Sequence, residues 1–93
     1  MVLVLAYDGE FSGPCTRKHA LVALGAALVD LETGKLLEKF MTHVRVEPGR
    51  EWDESTVNEF WQKEGKAFYE EILREQERAP LPDEAGILFC KWA

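Results

Sequence analysis

The sequence contains only two cysteines, and neither belongs to a recognisable motif. Cys15 and Cys90 lie near opposite ends of the 93-residue chain and form no C-x-x-C pair. Together with His19 and His43 they show none of the ligand spacings of a zinc site. Free thiols in a reducing compartment are the simplest interpretation, so we expect a cytoplasmic protein.

The chain also lacks an excess of basic residues. Lys and Arg total 11 against 17 Asp and Glu, which gives a formal net charge of −6. The whole acidic excess falls in residues 51–93. Strong general affinity for phosphate backbones needs clustered Lys and Arg, so a basic nucleic-acid-binding protein is excluded. An enzyme that contacts nucleic acid through metal ions held by carboxylates is not.

Long hydrophobic runs, repeats and flexible linkers are absent as well. The longest apolar run, residues 20–29, is shorter than the roughly 20 residues that a helix needs to cross a bilayer. We therefore expect no membrane contact. No stretch rich in Gly or Ser divides the chain, and its length suits one small domain over residues 1–93.

The first half of the sequence predicts three strands. Residues 2–7 and 20–30 are nearly continuous apolar runs, which are typical of strands buried on both faces. Residues 36–46 alternate between apolar and polar, as in a half-exposed strand near a sheet edge. Short turns separate these runs. The pattern predicts a three-stranded antiparallel meander.

The second half predicts two or three helices, so the fold class is α/β. Asp53 can cap a first helix, Gly65 separates it from a second over residues 66–78, and Pro82 begins a third. Apolar residues recur at helical spacing in each of them and predict their buried faces. These residues are Val57, Phe60, Trp61, Phe68, Tyr69, Ile72, Leu73, Ala85, Leu88, Phe89 and Trp92.

Two carboxylates, Asp8 and Glu10, stand two residues apart at the end of the first predicted strand. Strand side chains repeat every two residues, so both are expected on the same face. Two like charges at the rim of an apolar strand cost free energy unless a cation compensates them. Mg²⁺ prefers oxygen ligands, and two such ions about 4 Å apart can clamp both reacting oxygens of a phosphodiester.

Two other interpretations of this pair remain open at the sequence level. Asp8-Gly9 between apolar runs is a strong signal for a hairpin turn, in which Glu10 would simply be solvated. An apolar strand followed by D-x-D is also the pattern of phosphatases that form an aspartyl-phosphate. That chemistry would use Asp8 as nucleophile, but it needs an Asp where this chain has Glu10.

The segment VLVLAYDGEFSG, residues 2–13, resembles the first motif of the DEDD 3′–5′ exonucleases, the DnaQ-like branch of the ribonuclease-H-like fold. The later apolar strand with Gly25, the turn at residues 32–34 and the segment from Trp52 to Trp61 are similar too. The resemblance implies a partial ribonuclease-H-like fold and a metal-dependent exonuclease that acts on nucleic-acid 3′ ends, either DNA or RNA.

The resemblance also implies roles for single residues. Asp8 would contact both of two Mg²⁺ or Mn²⁺ ions, and Glu10 would contact one of them and help to place the attacking water. Phe11, Ser12 and Gly13 would meet the terminal nucleotide. Residues 17–19, Arg-Lys-His, have no transferable role and are either solvated or in contact with phosphates.

The family's catalytic set includes two more acidic residues and a general base, and none of these has a counterpart in this sequence. Asp83, His19 and His43 do not occupy the positions at which the family has its remaining acids and its base. We therefore expect the N-terminal portion of a larger exonuclease domain, inactive alone. A missing C-terminal segment or a partner chain would complete the sheet. The alternative is a non-catalytic exonuclease-like remnant that acts as a protein-interaction module.

Overall fold

A computed structural model describes residues 2–14 and 18–93. The strands form one antiparallel sheet in the order β1-β2-β3, and the helices follow it. The elements are β1 (Leu3–Phe11), β2 (Leu21–Asp30), β3 (Lys35–His43), α1 (Glu54–Thr56) continuing into a π-helical turn (Val57–Trp61), α2 (Lys66–Glu75) and α3 (Pro82–Trp92). The predicted meander and fold class are confirmed. The predictions for Cys15 and Arg17 lie outside the described residues, whereas Cys90 is an exposed free thiol.

The β2–β3 hairpin turns where the sequence predicts it. Gly34 has a φ of 73°, a conformation that favours glycine, and its N–H donates to the carbonyl of Asp30 at 2.7 Å. The third strand lies at one edge of the sheet, as predicted, but it ends at His43 rather than at residue 46. The chain continues from there with a hydrogen bond of 2.9 Å from the N–H of Val44 to the carbonyl of Val22.

The prediction that the first strand is buried on both faces is wrong. β1 lies at the other edge of the sheet, and Leu3, Leu5 and Tyr7 are 50%, 41% and 72% exposed. The reason is that β2 is the one strand paired with β1 within residues 2–14 and 18–93. An apolar run therefore predicts correctly that a strand forms, but it does not predict how many strands pair with it.

The hydrophobic core lies between the start of β2 and the helices. Val22, Trp61 and Ile72 form its centre and are at most 1% exposed. At Val22 the pairing of β1 with β2 shifts by one residue, since Glu10 is opposite Ala23 and Phe11 is opposite Leu21. Five partly buried side chains surround this centre: Val46, Trp52, Val57, Phe68 and Tyr69.

The helices match their predicted starts better than their predicted faces. α3 begins at Pro82 and buries Ala85, but Leu88 is 44% exposed and is not a core residue. α2 ends at Glu75 instead of residue 78, directly before Gln76, whose side-chain amide bonds the backbone of Val44 and Val46. In the part of the chain that the structure describes, no helix is long and apolar enough to cross a bilayer.

Candidate functional site

Asp8 and Glu10 lie within β1, not in a turn. Asp8 is opposite Gly25, and Gly9 is paired with Leu24, so the hairpin-turn interpretation is wrong. The pairing is regular up to Glu10, and alternate residues of a strand share one face, so both carboxylates project to the same side of the sheet. Both residues are exposed. The N–H of Gly9 donates to Asp8 Oδ1 at 2.9 Å.

An open hollow of about 410 Å³ borders Asp8 on this face. Its floor is shallow because small residues, Ala6, Gly25 and Ala27, lie next to one another across β1 and β2. Lys39 and Met41 of β3 also line it. Asp8 therefore stands at the rim of an accessible and largely apolar depression, which leaves room for a ligand beside its carboxylate.

The donor set at this place fits a hard divalent cation. No ion pair joins Asp8 or Glu10 to a cationic side chain within residues 2–14 and 18–93. Carboxylate oxygens are the ligands that Mg²⁺ and Mn²⁺ prefer, and Mg²⁺ commonly takes one or two of them together with waters and phosphate. Over the same residues there is no group of three or more His, Cys, Asp or Glu that could hold a metal. Asp8 and Glu10 are thus the two carboxylate donors on this face of β1.

Ser12 is completely buried and fixes the end of β1. Its Oγ donates to the carbonyl of Glu51 at 2.8 Å and accepts from the N–H of Ala20 at 2.8 Å. Its own N–H donates to the carbonyl of Ala20, and its carbonyl accepts from the N–H of Asp53. Ser12 therefore ties together β1, the start of β2 and the segment before α1.

Gly13 is packed too tightly for a side chain. A Cβ built on it would lie 2.5 Å from Cβ of Asp53 and 3.0 Å from the His19 ring. His19 Nδ1 donates to the carbonyl of Pro14 at 2.8 Å, and its Nε2 lies 3.8 Å from Asp53 Oδ1. The Phe11–Gly13 segment is thereby held against the residues that begin α1.

Asp53 caps α1, as the sequence predicts. Its Oδ2 accepts from the hydroxyl and the N–H of Thr56 at 2.6 and 3.0 Å. These two hydrogen bonds, and to a smaller extent the nearby His19, lower the pKa of Asp53 below its usual 3.8. Asp53 therefore remains ionised, and it holds the Phe11–Gly13 segment close to the start of α1.

Phe11 lies on the other side of the strand from the carboxylates. Its ring is 3.4 Å from the position that a Cβ of Gly9 would take, and it is 38% exposed. The structure thus brings Asp8 and Glu10 together on one face and places Phe11 beside Gly9. Asp83 lies in the first turn of α3, where an acid favours the helix N-terminus.

One pair of ionisable side chains was not predicted from the sequence. His43 Nε2 lies 3.4 Å from Glu71 Oε2, and His43 Nδ1 is buried without a hydrogen-bond partner among the described residues. In the sheet, Ala23 is paired with both Glu10 and His43, so these two residues occupy the same row. Strand alternation predicts on which face of the sheet His43 lies. No feature of the sequence predicts that α2 places Glu71 next to His43.

Two solved structures of exonucleases share this fold. One is a full-length 3′-exonuclease, with a TM-score of 0.65 and 13% identity over 97% of this chain and 28% of that chain. The other is the nuclease domain of 3′hExo, a DEDDh family member bound to rAMP, with a TM-score of 0.65 and 14% identity over 97% of this chain and 42% of that chain. The likeness shows that this chain shares a fold with part of each exonuclease structure. The chain spans less than half the length of either one. No protein-family model and no curated protein matches the sequence.

Proposed function

We propose that this chain is the N-terminal, metal-binding part of a metal-dependent 3′–5′ exonuclease that acts on the 3′ end of DNA or RNA. The observation that carries the proposal is the placement of Asp8 and Glu10 on one open face of an exonuclease-like sheet, with Asp8 at the rim of a hollow. The fold likeness supports the same class of reaction.

In this proposal Asp8 and Glu10 would hold Mg²⁺ or Mn²⁺. When bound, such ions supply positive charge to the phosphodiester and activate water for hydrolysis. Glu10 would also help to place the attacking water. The nucleotide contact expected for Phe11 is left out of this proposal, because its ring lies on the face opposite the carboxylates, and Ser12 and Gly13 hold the end of β1 in place.

Residues 1–93 form one domain that contributes half of the site and is inactive by itself. Support comes from the donor count, since the described residues offer two carboxylates and no cluster of three ligands. A complete two-metal site needs further ligands and a general base. We propose that another chain segment, or a partner chain, supplies them and completes the sheet beside β1.

The test is Mg²⁺-dependent binding of adenosine 5′-monophosphate, the reaction product if the substrate is RNA, measured by calorimetry. Asp8→Asn and Glu10→Gln should each weaken binding by about tenfold or more, because each removes a charge-assisted contact. Glu38→Gln is the matched control: Glu38 is an exposed strand glutamate opposite Leu28, on the other face of the sheet. Equal binding by all four proteins would contradict the proposed site.

The alternative is a non-catalytic remnant that binds other proteins, and the exposed β1 edge is the observation that favours it. Such a protein would keep its interactions when both carboxylates are neutralised. The double variant Asp8→Asn/Glu10→Gln therefore separates the two functions: it abolishes metal-dependent nucleotide binding under the first and changes nothing measurable under the second.

A further inference from the structure

A β-bulge lies directly beside Glu10. Glu10 is opposite Ala23 on β2. Phe11, one residue later on β1, is opposite Leu21, which is two residues away on β2. Val22 is therefore the extra residue of the bulge. Bulges bend a strand and redirect nearby side chains, and they are common next to active sites. The direction of the Glu10 carboxylate thus depends on how firmly this bulge is held.

The hydrophobic core holds the β2 side of the bulge. The Val22 side chain is completely buried in the cluster that it forms with Trp61 and Ile72. Its carbonyl accepts a hydrogen bond of 2.9 Å from the N–H of Val44, which lies just beyond β3. These contacts fix the extra residue of β2. The β1 side of the bulge, which carries Glu10, needs a hold of its own.

Ser12 provides the hold on the β1 side. Its N–H donates to the carbonyl of Ala20, and its Oγ accepts from the N–H of Ala20, both at 2.8 Å. In a regular antiparallel pair a backbone carbonyl would accept the second of these bonds. The hydroxyl takes that place here, so the Ser12 carbonyl can accept from the N–H of Asp53 at 2.9 Å. The hydroxyl also donates to the carbonyl of Glu51 at 2.8 Å. One buried hydroxyl thus closes the sheet beyond the bulge and joins it to the segment before α1.

We propose that Ser12 is a positioning residue: by holding the bulge at Val22, its hydroxyl fixes the direction of Glu10 relative to Asp8 and so sets the affinity of the pair for Mg²⁺. This rests on the proposed function, in which the two carboxylates bind the ion. Groups that hold metal ligands in place commonly change metal affinity by about 10–100-fold without touching the ion. Ser12 is completely buried, and its hydroxyl is bonded on both sides, so it acts through the backbone and not as a ligand.

A Mg²⁺ titration followed by the backbone amide signals of β1 tests this role. Ser12→Ala removes only an oxygen atom and leaves the buried N–H of Ala20 without its acceptor, so Mg²⁺ affinity should fall by about tenfold or more. Ser55→Ala is the matched control, because Ser55 is an exposed serine of α1, and its affinity should stay within about twofold. Ala85→Gly is the stability control. It removes a buried methyl group from α3 and should weaken the fold but not Mg²⁺ binding.

A second measurement needs no variant. If the bonds between Ser12 and Ala20 favour metal binding, then metal binding must favour those bonds by the same factor, because coupling between two equilibria is reciprocal. Saturating Mg²⁺ should therefore slow hydrogen exchange at the Ala20 amide by about tenfold. The Gly34 amide, which is bonded in the distant turn between β2 and β3, should keep its exchange rate.

The outcomes separate this proposal from the proposed function. A wild type that binds no Mg²⁺ would overturn both. Wild-type affinity in Ser12→Ala, an equal loss of affinity in Ala85→Gly, or an Ala20 amide whose exchange Mg²⁺ does not change would each overturn the positioning role alone. The two carboxylates would then still bind the ion, but the bulge would not set its affinity.

Discussion

Replacing Trp61 by alanine is expected to lower the free energy of unfolding by about 3–5 kcal/mol, the usual cost of removing a large buried aromatic side chain. Trp61 is 1% exposed at the centre of the core. Its ring lies 4.9 Å from that of Phe60, 5.6 Å from that of Trp52 and 6.0 Å from that of Tyr69, so truncation leaves a cavity lined by rings that cannot all move inward.

Small domains have only about 5–15 kcal/mol of stability, so this loss should leave a substantial unfolded population at 37 °C. Urea denaturation followed by circular dichroism measures it. Phe60→Ala is the matched control, because Phe60 belongs to the same π-helical turn but is 40% exposed. It should cost clearly less. Equal losses from the two substitutions would show that Trp61 is not the centre of the core.

Adding one methyl group at Gly13 is the second large effect that we expect. The new Cβ would stand 2.5 Å from Cβ of Asp53, far inside van der Waals contact, and both atoms lie close to the backbone. Gly13→Ala should therefore lower the unfolding free energy by about 1–3 kcal/mol, the range for overpacked sites. It should also loosen the cap of α1, since Asp53 must shift.

Gly86→Ala provides the opposite control within the same chain. Gly86 lies in α3 with nothing within 4 Å of a built Cβ, and alanine is favoured over glycine inside helices by about 0.5–1 kcal/mol. Chemical denaturation should show that Gly86→Ala stabilises and Gly13→Ala destabilises. A neutral Gly13→Ala would mean that the Phe11–Gly13 segment is not held against α1 as described.

Local sequence patterns predict most of this fold because they report on single elements. The edge position of β3, the glycine turn at Gly34, the Asp53 cap and the Pro82 start each follow from rules that act over a few residues, and the structure confirms all four. The two-residue spacing of Asp8 and Glu10 likewise predicts a shared face.

What the sequence does not predict depends on contacts between distant elements. The burial of β1 requires knowledge of its neighbours, and one paired strand leaves it exposed. Ser12 looks like an accessible polar residue of a glycine loop, yet its hydroxyl joins Glu51 and Ala20. The pairing of His43 with Glu71 depends on the position of α2 and has no local signal.

The most direct test of the central claim is a Mn²⁺ titration of the folded chain followed by nuclear magnetic resonance. If Asp8 and Glu10 share a divalent ion, their amide signals and that of Gly25, across the sheet from Asp8, should broaden first. The competing binding place is the acidic surface of α2, which contains Glu70, Glu71 and Glu75. Broadening that begins in α2 and leaves β1 sharp would contradict the account.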